Sequence, residues 1–213
     1  MAVPFTISAG GVPLQADFDG PPTPTGLVIF AHGSGSGRFS PRNRAVAGTL
    51  RRGGLATLLA DLLTADEEAL DAQTGHLRFN IPLLAERLIG LADWAARSSE
   101  TTALPIGYFG ASTGGGAALV AAAERPRAIR AVVSRGGRPD LAGEALHRVE
   151  APTLLIVGGN DPQVVELNER AYGELAGEKS LEIIPGATHL FEEPGALEEV
   201  ARLALCWFQK YLR

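Results

Sequence analysis

The chain is poor in cysteine and in lysine, and each scarcity narrows the possible functions. Its one cysteine, Cys206, cannot form a disulfide within the chain or anchor a cysteine-ligated zinc site. Only Lys179 and Lys210 are lysines among 19 basic residues. With 24 acidic residues the net charge is −5, and no block of like charge stands out. We therefore expect no nucleic acid partner and no anionic membrane surface as a partner.

Long hydrophobic runs are also missing. The longest, such as residues 55–63, are far shorter than the roughly 20 residues that cross a bilayer. The first ten residues have neither the basic start nor the apolar stretch of a signal peptide. We expect a cytoplasmic protein, as a monomer or homodimer. The length of 213 residues and the hydrophobic fraction of 46% predict a single folded domain over residues 1–213.

Short apolar runs bounded by glycine and proline recur along the chain, which is typical of strands buried on both faces. They lie at residues 27–31, 56–59, 106–109, 129–133, 153–157 and 181–184. Between them, apolar residues at helical spacing predict helices, for example from Leu84 to Ala95 and from Leu197 to Tyr211, after Pro194. This alternation predicts a doubly wound α/β domain, in which helices cover both faces of a mostly parallel sheet. Segments 3–8 and 12–18 predict an antiparallel hairpin at the N-terminus.

Ligands of such sheets bind beyond the carboxyl ends of the strands, and one of these ends carries a serine motif. Residues 110–114 read GASTG, which is the pattern G-x-S-x-G on a turn from strand to helix. Such a turn projects the hydroxyl of Ser112 above the sheet, and it needs small neighbours because the strand and the helix pack close to it. The pattern predicts Ser112 as a nucleophile. The alternative is a glycine-rich turn that only packs a helix.

A serine hydroxyl needs a base, and the base needs an acid to orient it. Asp161 and His189 each follow a later strand, and they stand in the order serine, acid, histidine that accompanies this motif. We predict that Asp161 orients His189 and that His189 activates Ser112. Asp140, which follows the strand at residues 129–133, is an alternative acid.

The loop after the first buried strand reads HGSGSG at residues 32–37. Acyl transfer needs N–H donors aimed at the developing oxyanion, and we expect them to be the amides of Thr113 and Ser34. A phosphate-binding loop is the alternative, but the segment has neither a Gly-Lys-Ser/Thr ending nor the pattern G-x-G-x-x-G. His32 is expected to brace this loop, and His76 and His147 are expected at the surface.

Several arginines lie near the expected site. Arg38, Arg42 and Arg44 follow the glycine-rich loop, and Arg135 follows the strand after Ser112. We take Gly35, Arg38 and Arg135 as candidate substrate-binding residues, with the arginines receiving an anionic group. The alternative is that they are solvated arginines in a chain biased towards arginine.

These residues resemble the α/β-hydrolase superfamily over essentially the whole chain. The compact length, the segment at residues 61–68 and the segment at residues 74–79 are similar to dienelactone hydrolase-like proteins. The resemblance implies a catalytic triad of Ser112, Asp161 and His189, with no cofactor and no metal. Dienelactone hydrolases carry a cysteine where this chain has Ser112, so their lactone substrate is not carried over.

The expected function is therefore a serine hydrolase that cleaves small carboxylic esters or thioesters. The alternatives are a small-molecule receptor with little turnover, and a peptidase or amidase that uses the same triad. In the superfamily that the chain resembles, a cap over the site is usually inserted after the strand that follows the helix of the serine motif. Here only residues 134–152 are available for it, and they must also supply a helix, expected at residues 141–149. The segment at residues 64–80 is the longest other loop and would shield one side. We expect no large cap domain and a preference for short acyl chains.

Overall fold

The computed structural model describes residues 3–213, and the side chains from Phe5 onward. Within this range the chain forms one sheet of eight strands. The strands are β1 (Val3–Ala9), β2 (Val12–Asp19), β3 (Leu27–Ala31), β4 (Ala56–Ala60), β5 (Ile106–Ala111), β6 (Ile129–Arg135), β7 (Thr153–Gly158) and β8 (Lys179–Ile184). Every strand predicted from the sequence is confirmed.

The strands lie in the order β1-β2-β4-β3-β5-β6-β7-β8. β1 and β2 form the predicted antiparallel hairpin, and β2 joins β4 in antiparallel fashion. All other neighbours are parallel, which brings the carboxyl ends of β3 to β8 to one edge of the sheet. Gly10 and Gly11 close the hairpin with φ angles of 56° and 74°, a conformation that glycine adopts at little cost.

Six α-helices are described: α1 (Pro41–Arg52), α2 (Ala65–Thr74), α3 (Ile81–Ala95), α4 (Thr113–Glu124), α5 (Pro162–Glu174) and α6 (Ala196–Tyr211). The alternation of side chains along the strands sorts the core into two layers. In β3, Ile29 packs in the layer covered by α3 and α4, whereas Val28 and Phe30 pack in the layer covered by α1 and α6. Helices therefore cover both faces of the sheet, as predicted.

The expectation of a loop at residues 64–80 is wrong. The segment contains α2 and a 3-10 turn at Leu77–Phe79. Thr64 starts α2 with a capping box, in which its hydroxyl accepts from the Glu67 amide and the Glu67 carboxylate accepts from the Thr64 amide.

The connecting helix expected at residues 141–149 is present only as 3-10 structure. Residues Pro139–Arg148 form 3-10 turns, and they are interrupted at Gly143, whose φ of 51° no regular helix accommodates. Pro194 lies just before α6 rather than inside its first turn, because Gly195 caps that helix. In the described part of the chain, no helix combines the length and the apolar character that a membrane crossing requires.

Candidate active site

Ser112 lies on a sharp turn between β5 and α4. Its φ of 51° and ψ of −121° are unusual for a residue with a side chain, and such strain costs about 1–3 kcal/mol. The surrounding backbone holds the turn, since the amides of Gly115 and Arg138 both donate to the Ser112 carbonyl at 3.0 Å. The turn therefore has the geometry of a nucleophile elbow.

The glycines on either side of this serine are required by close backbone contacts. A Cβ atom at Gly114 would lie 2.3 Å from the carbonyl oxygen of Ala31, at the end of β3. A Cβ atom at Gly110 would lie 2.6 Å from the carbonyl oxygen of Gly114. The G-x-S-x-G pattern thus lets the elbow sit directly against the neighbouring strand.

Asp161 and His189 are hydrogen bonded to each other. Asp161 follows β7 and precedes α5, and His189 lies in the loop after β8. The His189 Nδ1 atom lies 2.7 Å from an Asp161 carboxylate oxygen, which leaves the His189 Nε2 atom free for another partner. Asp140, the alternative acid, instead accepts from both ends of the Arg138 guanidinium at 2.7 and 2.8 Å.

The loop that carries His189 is anchored by a residue that the sequence analysis missed. Phe191 is buried although its φ is 56°, and its amide donates to the Thr188 carbonyl at 3.2 Å. The Thr188 hydroxyl donates to the Glu193 carboxylate at 2.6 Å. Gly136, at the end of β6, allows this loop to approach, since a Cβ atom there would lie 3.1 Å from the His189 carbonyl oxygen.

Ser112 and His189 open into the same cavity, of about 190 Å³, where the ends of β3, β5 and β6 meet the His189 loop. Its other walls come from the glycine-rich loop, the start of α1 and the end of β6. They are Gly33, Ser34, Ser36, Ser40, Arg42, Asn43, Ala111, Arg135 and Leu190. The structure therefore brings Ser112, His189 and Asp161 together at one edge of the sheet.

His32 braces the glycine-rich loop, as the sequence predicts. Its Nε2 atom accepts from the Leu62 amide at 3.0 Å, so the ring proton is on Nδ1, which lies 3.0 Å from the Gly33 carbonyl oxygen. Burial lowers the pKa of His32, because the cation would lose hydration and Nε2 could no longer accept. His147 and His76 are exposed, in agreement with expectation.

Ser34 and Thr113 lie on two segments that meet beside the nucleophile. A Cβ atom at Gly33 would lie 3.1 Å from the Ser112 Cβ atom. Ser34, Gly35 and Thr113 also line a second cavity, of about 110 Å³, on the other side of the glycine-rich loop. Leu63, Leu84 and residues of α2 complete its wall. Gly35, a candidate substrate-binding residue, therefore lines the second cavity and not the one that contains His189.

α2 and the following turn cover this second cavity through one buried carboxylate. Asp71 accepts from the amides of Leu77 and Arg78 at 2.7 and 3.1 Å and from the Arg78 Nε atom at 2.6 Å. Burial alone would raise the pKa of Asp71, but these hydrogen bonds outweigh it and lower that pKa. Asp71 and Arg78 both line the second cavity.

The arginines predicted near the site have different environments. Arg38 is paired with Asp61 and lies 3.6 Å from Asp17, and it does not line the cavity with Ser112. The prediction that Arg38 contacts substrate therefore finds no support in its placement, because its guanidinium is held by carboxylates. Arg44 is likewise paired with Asp17, at 2.9 Å.

Arg135 does line that cavity, and only 4% of it is exposed. Burial, together with the nearby Arg42 cation, lowers the pKa of Arg135 to about 10, so the guanidinium is still charged at neutral pH. Across residues 3–213, no group of three or more histidine, cysteine or acidic side chains is arranged to hold a metal ion.

Comparison with known proteins identifies the family and the fold. Residues 19–211 match the sequence model of the "Dienelactone hydrolase family". A crystal structure of dienelactone hydrolase from Anabaena variabilis is 60% identical and superposes with a TM-score of 0.98, over 100% of this chain and 99% of that one. Est1E from Butyrivibrio proteoclasticus shares the fold, with a TM-score of 0.81 at 20% identity over 97% of this chain and 98% of its own.

Two Mycobacterium tuberculosis proteins, each named "Putative phosphoribosyl transferase", are 57% identical over 206 residues. The match covers 97% of this chain but 46% of theirs, so the chain spans about half the length of these curated relatives. The family match and the fold coincide over nearly the whole chain, including the elbow and the loop that carries the histidine. The chain belongs to the dienelactone hydrolase family and has the α/β-hydrolase fold.

Proposed function

We propose that this chain is a serine hydrolase that cleaves small carboxylic esters or thioesters through an acyl-enzyme on Ser112. The observation that carries the proposal is the 2.7 Å contact between His189 Nδ1 and Asp161, in a pair whose histidine shares a cavity with the strained Ser112 elbow. The spacing and order of the three residues in the sequence support the same assignment.

The reaction would proceed in two halves. The Ser112 Oγ atom attacks the carbonyl carbon while His189 Nε2 takes its proton, and the Asp161 carboxylate stabilises the imidazolium. The amides of Thr113 and Ser34 would donate to the oxyanion of the tetrahedral intermediate, which is worth several kcal/mol. The alcohol or thiol leaves with the proton from His189. Water then attacks the acyl group in the same way, releases the acid and restores Ser112.

The names of the relatives support hydrolysis to different degrees. The protein from Anabaena variabilis is named a dienelactone hydrolase, and its similarity covers the complete chain. The transferase name belongs to proteins about twice as long, more than half of which lies outside the match. We therefore assign hydrolysis to the matching part. The lactone is not carried over, because Ser112 stands where dienelactone hydrolases have a cysteine.

Replacing the nucleophile tests this proposal. Ser112→Ala should reduce the hydrolysis of nitrophenyl esters by several orders of magnitude with an unchanged circular dichroism spectrum, because the hydroxyl is not part of the core. A serine-directed phosphonate should label the wild type at Ser112 and leave the alanine variant unlabelled. Wild-type turnover in Ser112→Ala would refute the assignment.

The other functional classes are separated by the same panel of substrates. Matched esters, thioesters and amides of one acyl group distinguish an esterase from an amidase by kcat/KM. A wild-type protein that binds such compounds and turns over none of them would be a receptor.

A further inference from the structure

Arg135 is a buried cation for which the described part of the chain supplies no acidic partner. It is the last residue of β6, and its side chain forms part of the cavity wall beside Ser112. Its Nε atom has no hydrogen-bond partner, and its only side-chain contact of that kind is a long one, 3.5 Å from Nη2 to the Asn43 amide oxygen. The Phe191 ring lies 5.6 Å from the guanidinium on another side.

Arg87, the other deeply buried arginine of the described residues, is paired with a carboxylate. Arg87 is also 4% exposed, and its Nε atom also lacks a partner, but its guanidinium donates to the Glu67 carboxylate at 2.8 Å and to the Gly10 carbonyl. Burying a charge is unfavourable unless it is paired. A purely structural Arg135 would need a comparable partner. Arg135 lines the cavity, so a ligand bound there would supply that partner.

The surroundings of Arg135 add further positive potential. Arg42 lines the same cavity, and its one carboxylate partner, Glu192 at 3.2 Å, has a side chain that is 65% exposed to solvent. The cavity also contains Ser40, which caps α1, a helix of 12 residues without an acidic residue in its first turn. The positive end of the α1 dipole therefore points to the same space.

Hydroxyl donors complete this arrangement. The Ser40 Oγ atom accepts from the Asn43 amide, so its own proton is available to a ligand, and Ser36 also lines the cavity. Two guanidinium groups, a helix N-terminus and two hydroxyls exceed what the two oxygens and single charge of a carboxylate can accept. A phosphate monoester has three terminal oxygens and nearly two negative charges at neutral pH, and it suits the planar fork of arginine.

We propose that Arg135 and Arg42 bind a phosphate monoester group carried by the ester substrate. This deepens the proposed function, on which it rests, because it names the substrate class of the same site: a small ester or thioester that also bears a phosphate. Arg135 holds the phosphate, and Ser112 attacks the carbonyl carbon of the same molecule. The phosphate itself is not cleaved.

Binding can be measured without turnover. The Ser112→Ala variant is titrated calorimetrically with phenyl phosphate, with inorganic phosphate and with benzoate, in chloride at constant ionic strength. Phenyl phosphate and inorganic phosphate should bind, and benzoate should bind more weakly. Adding Arg135→Met should weaken phosphate binding about tenfold or more, since it removes charge-assisted hydrogen bonds. Arg135→Lys should restore part of the affinity, because it keeps the charge and loses the fork.

Arg52→Met is the matched control. Arg52 lies exposed at the far end of α1, so this variant makes the same change of charge outside the cavity and should bind phosphate normally. If Arg135→Met does not fold, Arg42→Met tests the same subsite from a partly exposed position. A second readout is thermal unfolding in chloride. Arg135→Met should melt at a higher temperature than its parent, whereas loss of a structural arginine would lower the melting temperature.

The outcomes separate failure of the phosphate subsite from failure of the proposed hydrolase. Equal phosphate affinity in Ser112→Ala with and without Arg135→Met overturns the subsite, as does stronger binding of benzoate than of phenyl phosphate. Phosphate binding together with a lack of ester turnover in the wild type refutes the proposed hydrolase and leaves the subsite standing. Ester turnover without phosphate binding refutes the subsite alone.

Discussion

At the scale of single residues, the contacts of Asp161 and Asp140 predict a large effect on kcat for one substitution by asparagine and almost none for the other. Asp161→Asn should lower kcat for a neutral ester by up to ~10⁴-fold, because the amide favours the wrong tautomer of His189. Asp140→Asn breaks only a pair with Arg138, whose side chain is 38% exposed, and should leave kcat nearly unchanged. Steady-state kinetics of the two variants checks this. A large loss of kcat in Asp140→Asn alone would identify Asp140, in the segment after β6, as the acid.

The histidine that braces the glycine-rich loop predicts a dependence of stability on pH. The pKa of His32 is lowered in the fold, so the unfolded chain takes up a proton from about pH 6.5 downward while the native state does not. The contribution of His32 is thus complete above pH 6.5 and falls below it, by up to about 1.4 kcal/mol per pH unit.

His32→Gln removes this titration while its side-chain amide can still bond to the loop. We expect the wild type to lose more unfolding free energy than the variant between pH 6.5 and pH 5, as measured by urea unfolding at each pH. Parallel curves for the two proteins would show that His32 is not neutral in the native state.

The sequence was sufficient to predict that Ser112, Asp161 and His189 each follow a strand of the sheet, because these strands can be recognised locally. It could not reveal the state of Arg135. Whether a buried arginine is paired depends on which side chains distant segments bring to it, and here Asn43 and Arg42 arrive from α1. Phe191 was missed for a related reason, since its backbone conformation is imposed by the loop that closes around His189.

At the scale of secondary structure, the strands were predictable because strands covered on both faces are continuous apolar runs. α2 was not predictable, because its only buried residue is Asp71. A helix that buries no apolar stripe shows no helical periodicity of apolar residues in the sequence. Its start could have been read from the pattern T-x-x-E at residues 64–67. The 3-10 form of the segment before Val149 was not predictable either. The spacing of its apolar residues does not show that the backbone at Gly143 is non-helical.

The cover of the second cavity should depend on Asp71. Asp71→Asn weakens the hydrogen bonds to Arg78 and Leu77 and should loosen α2 and the following turn, while the sheet stays intact. We expect trypsin to cleave after Arg78 faster than in the wild type under native conditions. Asp66→Asn, which makes the same change at an exposed position of the helix, is the control. Equal cleavage rates in the two variants would contradict this role.

At the scale of the whole molecule, the short connection between β6 and β7 predicts a limit on the length of the acyl group. The segment between β6 and β7 forms tight 3-10 turns, and α2 with its turn covers only the second of the two small cavities. Little apolar surface is available for a long acyl chain, at roughly 0.8 kcal/mol per buried methylene. We expect kcat/KM to be highest for short acyl chains and to show no increase on micelles.

A series of esters from acetate to palmitate, below and above the critical micelle concentration, measures this preference. A steady rise towards palmitate would show an acyl site that the two cavities do not provide.

We expect β8 and the loop after it to open before the rest of the sheet does. β8 is the last strand of the sheet, bonded on one side to β7 and only partly buried along most of its length, yet the loop that follows it carries His189. Ser112, in contrast, follows β5, a central strand between β3 and β6. Edges of a sheet open at lower free energy than its centre. We therefore expect gentle heat or denaturant to displace the His189 loop, and to abolish the proposed ester hydrolysis, before the whole fold unfolds. The activity should return on cooling, because Ser112 stays in place.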